Sequence, residues 1–84
     1  MVSSILQDHN GYMWFGTKDG LNRFDGYSCK IYKSDLFDNS SISDNHITCL
    51  YEDKDNNLWV GSRLGGLNLY DPGADFFIQV IDSR

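Results

Sequence analysis

The sequence predicts an all-β chain of two four-stranded antiparallel sheets, and three observations carry that reading. The chain repeats itself: GYMWFGTKDGLNRFDG at residues 11–26 returns as NLWVGSRLGGLNLYD at residues 57–71. Asp8, Trp14 and Gly16 find Asp53, Trp59 and Gly61 at an offset of 45, and after a one-residue insertion in the LGG turn Leu21, Asn22 and Asp25 find Leu67, Asn68 and Asp71 at an offset of 46. Apolar residues alternate with period two between turn residues, and no stretch carries a 3.6-residue stripe. The strands are also apolar on both faces. In Tyr12-Met13-Trp14-Phe15, Trp14 points one way while Met13 and Phe15 point the other, whereas a strand with one wet face would alternate with polar residues.

The first unit reads as strands Ser3–Gln7, Tyr12–Thr17, Leu21–Phe24 and Tyr27–Tyr32. Asp8-His9-Asn10-Gly11, Asp19-Gly20 and Asp25-Gly26 supply its turns, because Asp and Gly tolerate the positive φ that tight hairpins demand. The second unit reads as Ile47–Glu52, Leu58–Ser62, Leu67–Tyr70 and Phe76–Ile81, with turns at Asp53–Asn57, Leu64–Gly66 and Asp71-Pro72-Gly73. Pro72 falls between strands, where its missing N–H costs no ladder bond. Residues 33–45, KSDLFDNSSISDN, form a connector rather than a domain linker, with Ile42 and Leu36 expected to tack it down. The organisation is thus unit 1–32, connector 33–45 and unit 46–84.

Four-stranded antiparallel sheets, apolar on both faces and recurring at a period in the 40s, are what β-propeller blades need, and a sandwich gives strands no reason to recur in fours. Such a unit cannot bury its faces alone, so the chain is read as a piece of something larger or as self-assembling. The expected partners are other blades, in a homo-oligomer. In each unit the Trp is expected to fill the same buried site between sheets.

Composition narrows the function. The 84 residues carry a net charge of −5 with no Lys/Arg cluster, which disfavours nucleic acid and anionic membranes as partners. No run approaches the length of a membrane-spanning helix, and repeat sequence follows Met1 directly with no secretory leader pattern. Cys29 and Cys49 lack the spacing of a zinc site. They are expected to stay free thiols, because an outermost and an innermost strand lie about 14 Å apart, beyond the reach of a disulfide.

ILQDHNGYMWFGTKDGLNRFDGYSCKIY and LYEDKDNNLWVGSRLGGLNLYDP resemble the two-component regulator propeller repeat, and SISDNHI resembles the short lead into each of its blades. Asn57 in place of the turn Gly, Ser62 in place of Thr, and the longer Gly65-Gly66 turn are the departures. The resemblance implies the periplasmic sensor region of a hybrid two-component histidine kinase, of the kind with which Bacteroides-type bacteria sense oligosaccharides. The 84 residues contain no recognisable kinase, receiver or membrane part.

Candidate chemistry is sparse. Asp53-Lys54-Asp55-Asn56-Asn57 alternates acidic and amide side chains as a calcium loop does, but Leu58 and Leu64 stand where such a loop needs Gly and Glu. Asp8 and Asp53 read instead as turn residues that accept backbone N–H bonds. Asp8, Trp14, Gly16 and Gly20, with Asp53, Trp59, Gly61 and Gly66, form the structural motif. His9 and His46 sit in polar loops with no second ligand, and Glu52 and Asp53 face opposite ways on a strand end. No metal, cofactor or catalytic residue is expected. Tyr12, Arg23, Tyr27, Tyr51 and Arg63 are the candidates for a polar ligand, since they differ between the units or lie near turns. Two alternatives stand beside the sensor: a sialidase- or lyase-like propeller enzyme, for which Arg23, Arg63 and Arg84 are the available arginines, and a protein–protein assembly module docking through a sheet edge.

Overall fold

The computed structural model describes residues 2–80. Eight strands follow one another: β1 Val2–Gln7, β2 Met13–Thr17, β3 Gly20–Phe24, β4 Cys29–Tyr32, β5 Ile47–Glu52, β6 Leu58–Ser62, β7 Gly66–Asp71 and β8 Phe76–Val80. They pair in chain order as two antiparallel sheets, β1-β2-β3-β4 and β5-β6-β7-β8. Each first strand carries a register shift at the same place, between Val2 and Ser4 in β1 and between Ile47 and Cys49 in β5. These are two β-propeller blades.

Local chemistry sets the strand ends. Asp25 Oδ1 accepts the N–H groups of Tyr27 and Ser28, which holds both in the turn. β4 therefore opens at Cys29 rather than at Tyr27, and Tyr27 is 96% exposed. The expected end of the last strand, Ile81, lies outside the described residues.

The blades stack face to face. The first sheet contributes Trp14, Leu21 and Tyr32, and the second contributes Leu58, Val60, Tyr70 and Phe77. The Trp14 ring lies 5.8 Å from Tyr32 in a stacked arrangement and meets Tyr70 edge-on at 4.9 Å, geometries that the aromatic quadrupole favours. Gly16 lets the sheets converge: a Cβ there would come within 2.6 Å of Ile47 Cγ2. Ser3 Oγ bonds the carbonyls of both Gly16 and Ile47 across the same junction, at 3.1 and 2.6 Å.

The connector crosses from β4 to β5 and is held by named bonds. Gly20 N–H donates to Asn45 O at 2.7 Å, and Phe77 N–H donates to Ser40 O at 2.9 Å. The buried Asn68 amide clasps Ser43, accepting its N–H and donating to its Oγ. Ile42 is 1% exposed and anchors the segment, as expected. Leu36 does not. It is 96% exposed, because the turn around Asp35 and Asp38 carries it away from both sheets.

The two tryptophans also differ. Trp14 is fully buried between the sheets, whereas Trp59 is only half-buried on the outer face of the second blade. The sequence repeats the residue but not its cover, since no sheet among the described residues lies over Trp59. Cys29 and Cys49 are free and exposed.

Candidate functional site

The turns at one end of each blade are built on one carboxylate. Asp8 Oδ1 accepts the N–H groups of Asn10 and Tyr12, while Oδ2 accepts Trp14 Nε1–H at 2.8 Å. Asp53 repeats the pattern with Asp55, Asn57 and Trp59 Nε1–H at 3.0 Å. The bond from Trp59, then that from the Asn57 backbone, holds the Asp53 carboxyl at about 2, well below the ordinary 3.8. Each Asp therefore ties a turn to the Trp of the following strand.

Between these turns the blades leave a cleft of about 260 Å³. His9, Tyr12 and Arg23 line it from the first blade, and Asn56, Asn57 and Tyr70 line it from the second. Tyr12 and Arg23 come together because Tyr12 and Trp14 share a strand face and Arg23 pairs with Trp14 across the β2–β3 ladder. The Arg23 guanidinium lies 4.8 Å above the Tyr12 ring, within cation–π range. His9 closes one side, its backbone N–H and its Nδ1 meeting Glu52 Oε2 at 3.0 and 2.8 Å.

Behind the cleft lies a charged knot that sequence reasoning missed. Asp75 Oδ1 accepts the hydroxyls of Tyr32 and Tyr70, each at 2.6 Å, and Oδ2 accepts Lys30 Nζ. Arg23 Nη1 donates to Tyr70 Oη at 2.9 Å and stands 3.6 Å from Asp75. Burial works to raise the Asp75 carboxyl, but the bonds from Lys30, Tyr32 and Tyr70 outweigh it and hold it at about 2. Burial, with the Asp75 bond added, pushes both tyrosine hydroxyls up, so they remain donors. Asp75 has φ +57°, a left-handed turn position, and no counterpart in the first unit, so the repeat gave no signal for it.

The other ligand candidates do not join the cleft. Tyr27 projects from the β3–β4 turn, and Tyr51 stands 60% exposed on the outer face of the second blade. Arg63 lies at the opposite end, where its N–H donates to His46 O. Among the described residues, no three His, Cys, Asp or Glu side chains are placed to hold a metal ion, and no helix is long and apolar enough to cross a membrane.

The family model of the two component regulator propeller matches residues 1–19 and 41–63, half of the chain and both blades in phase. The chain belongs to the two-component regulator propeller family. Two solved propeller structures from B. thetaiotaomicron are similar to it, both extracellular domains of hybrid two-component systems. The domain of BT3049 is 34% identical with a TM-score of 0.78, over 90% of this chain and 11% of that one. The domain of BT4673 is 31% identical with a TM-score of 0.80, over 99% of this chain and 12% of that one. Histidine kinase P4 of Formosa agariphila is 52% identical over 42 residues, which is 50% of this chain and 3% of that protein. The propeller blades described here thus span a small part of each relative.

Proposed function

We propose that this chain is a non-enzymatic part of the periplasmic sensor propeller of a two-component system, and that the cleft between its blades takes part of an oligosaccharide. The single observation that carries this reading is the lining of the cleft. An aromatic face at Tyr12, a guanidinium at Arg23 and the amides of Asn56 and Asn57 meet there, and few, well-placed polar groups around an aromatic surface suit a polyhydroxylated ligand. The extracellular placement of the similar B. thetaiotaomicron domains supports the compartment. A ligand touching the turns of both blades would favour one angle between them, and a kinase would read that bias as a shift in the placement of sensor domains across a dimer.

The enzyme alternative draws no support from the arginines. Arg23 is committed to Tyr70 and Asp75, while Arg63 lies at the other end of the sheets; Arg84 is outside the described residues.

A thermal-shift or glycan-array screen of the intact sensor region, with turnover assays alongside, tests the reading. Tyr12→Ala is expected to weaken binding of a hit about tenfold, near the 1.4 kcal/mol of one good contact, with little change in melting. Saccharide turnover, or binding indifferent to both Tyr12→Ala and Asn57→Ala, would overturn it.

A further inference from the structure

The Arg23 guanidinium is pinned on one side and open on the other. Nη1 donates to Tyr70 Oη at 2.9 Å and stands 3.6 Å from Asp75 Oδ1. Its central carbon lies 4.8 Å from the Tyr12 ring centre, with the Trp14 and Tyr32 rings at 5.8 and 5.9 Å. Among the described residues Nε and Nη2 make no hydrogen bond, and no buried side-chain nitrogen or oxygen there lacks a partner. The Nε–Nη2 edge is therefore open to solvent, on a residue that lines the cleft. Arg23 sits on the face of the first sheet that meets the second blade, so both walls of this cleft belong to the chain. Nε–H and the nearer Nη2–H are parallel donors, spaced to match the two oxygens of a carboxylate. The bonds at Nη1 hold that edge at a set angle before any ligand arrives, which lowers the ordering cost of binding.

The charges around Arg23 leave one positive charge over. Arg23 and Lys30 share a single carboxylate, Asp75, so the knot holds two cations against one anion. The other carboxylates nearby are turned toward N–H groups of their own. Asp8 gives both oxygens to Asn10, Tyr12 and Trp14. Glu52 Oε2 accepts the His9 backbone N–H and meets its Nδ1, and Asp25 Oδ1 accepts the N–H groups of Tyr27 and Ser28. The chain as a whole carries −5, which repels anions at long range. An anion that binds here is selected by the guanidinium edge at contact, not gathered by the field.

We propose that the saccharide taken by this cleft is acidic, and that the carboxylate of a uronic acid residue binds the Nε–Nη2 edge of Arg23 as a two-point ion pair. This rests on the cleft being a saccharide site and adds the chemical class of the sugar. Asn56 and Asn57 line the same cleft and meet the ring hydroxyls. A neutral sugar in that place offers the guanidinium a single uncharged oxygen, a weaker partner than the two of a carboxylate.

Isothermal titration of the intact sensor region tests the proposal. The probes are trisaccharides of galacturonic, glucuronic and mannuronic acid, and the same trisaccharides with each carboxyl reduced to a primary alcohol. At least one acidic trisaccharide is expected to bind, and its reduced form to bind about ten- to a hundredfold more weakly, the scale of a charge-assisted contact. Arg23→Lys keeps the charge and removes the fork, and is expected to bring the two forms within about threefold of each other. Arg23 also braces the knot, so near-UV circular dichroism checks the fold of the variant. The comparison of acid with reduced form on the wild-type protein stands without it. Reduced trisaccharides that bind as tightly as their acids, and that Tyr12→Ala and Asn57→Ala weaken, would overturn the proposal while the saccharide cleft stands. Binding by neither series would overturn both. A sulfated, carboxyl-reduced trisaccharide that matches the acid would overturn the assignment to a carboxylate.

Discussion

Trp14→Ala is expected to destabilise the fold by about 3–5 kcal/mol, the range for emptying a buried aromatic site. The Trp14 ring is fully covered, touches Tyr32 and Tyr70, and ties its own turn through Asp8. Its loss removes the largest side chain from the core cluster that joins the two blades. Trp59→Ala is expected to cost about 1–2 kcal/mol, because the half-buried ring gives up less contact and mainly loses its tie to Asp53. Urea melts of both variants at one matched protein concentration measure the difference. Equal losses would mean that something covers Trp59 as fully as the second blade covers Trp14.

Most of the fold was legible because a repeat states the same rule twice. Two in-phase copies of Asp, Trp-x-Gly and Leu-Asn-x-aromatic-Asp fix eight strands to within a residue or two, and the two-faced apolar pattern selects blades over a sandwich. Tyr12 and Arg23 were reachable by the same logic, since period-two alternation and a tight hairpin place them on one face. What the repeat could not show is where the units differ in their surroundings. Trp14 and Trp59 occupy one motif position, yet among the described residues a neighbouring sheet covers the first and not the second. Leu36 looks like an anchor beside Ile42, but apolarity in a loop says nothing about whether a surface lies beneath it. Asp75 was invisible for a further reason. It sits in an irregular turn with no matching position, and its partners Lys30 and Tyr32 lie more than 40 residues away.

Asp75→Ala is expected to cost about 2–3 kcal/mol, since hydrogen bonds to a charged group contribute about 1.5–3 kcal/mol and partial exposure discounts their sum. The carboxylate is 34% exposed, and Lys30 is half in water, so neither is stranded when the other is lost. Arg23 and the two tyrosine hydroxyls are less exposed to solvent, and they bear most of the loss. Asp75→Asn keeps the shape and removes the charge, and is expected to fall between wild type and Ala. The pH dependence identifies the charge. Folding lowers the Asp75 carboxyl from 3.8 to about 2, so the folded state binds this proton less readily than the unfolded chain does. The stabilisation is therefore complete above about pH 4 and is lost as the pH falls through about 2. Asp53 titrates in the same window, but it does so in wild type and variant alike. The gap between wild-type and Asp75→Asn urea midpoints is expected to be constant from pH 7 to about pH 4 and to narrow toward pH 2. A gap that persists unchanged at low pH would show that Asp75 acts through shape and neutral hydrogen bonds, and that the charge shared with Lys30 and Arg23 does not hold the blades together.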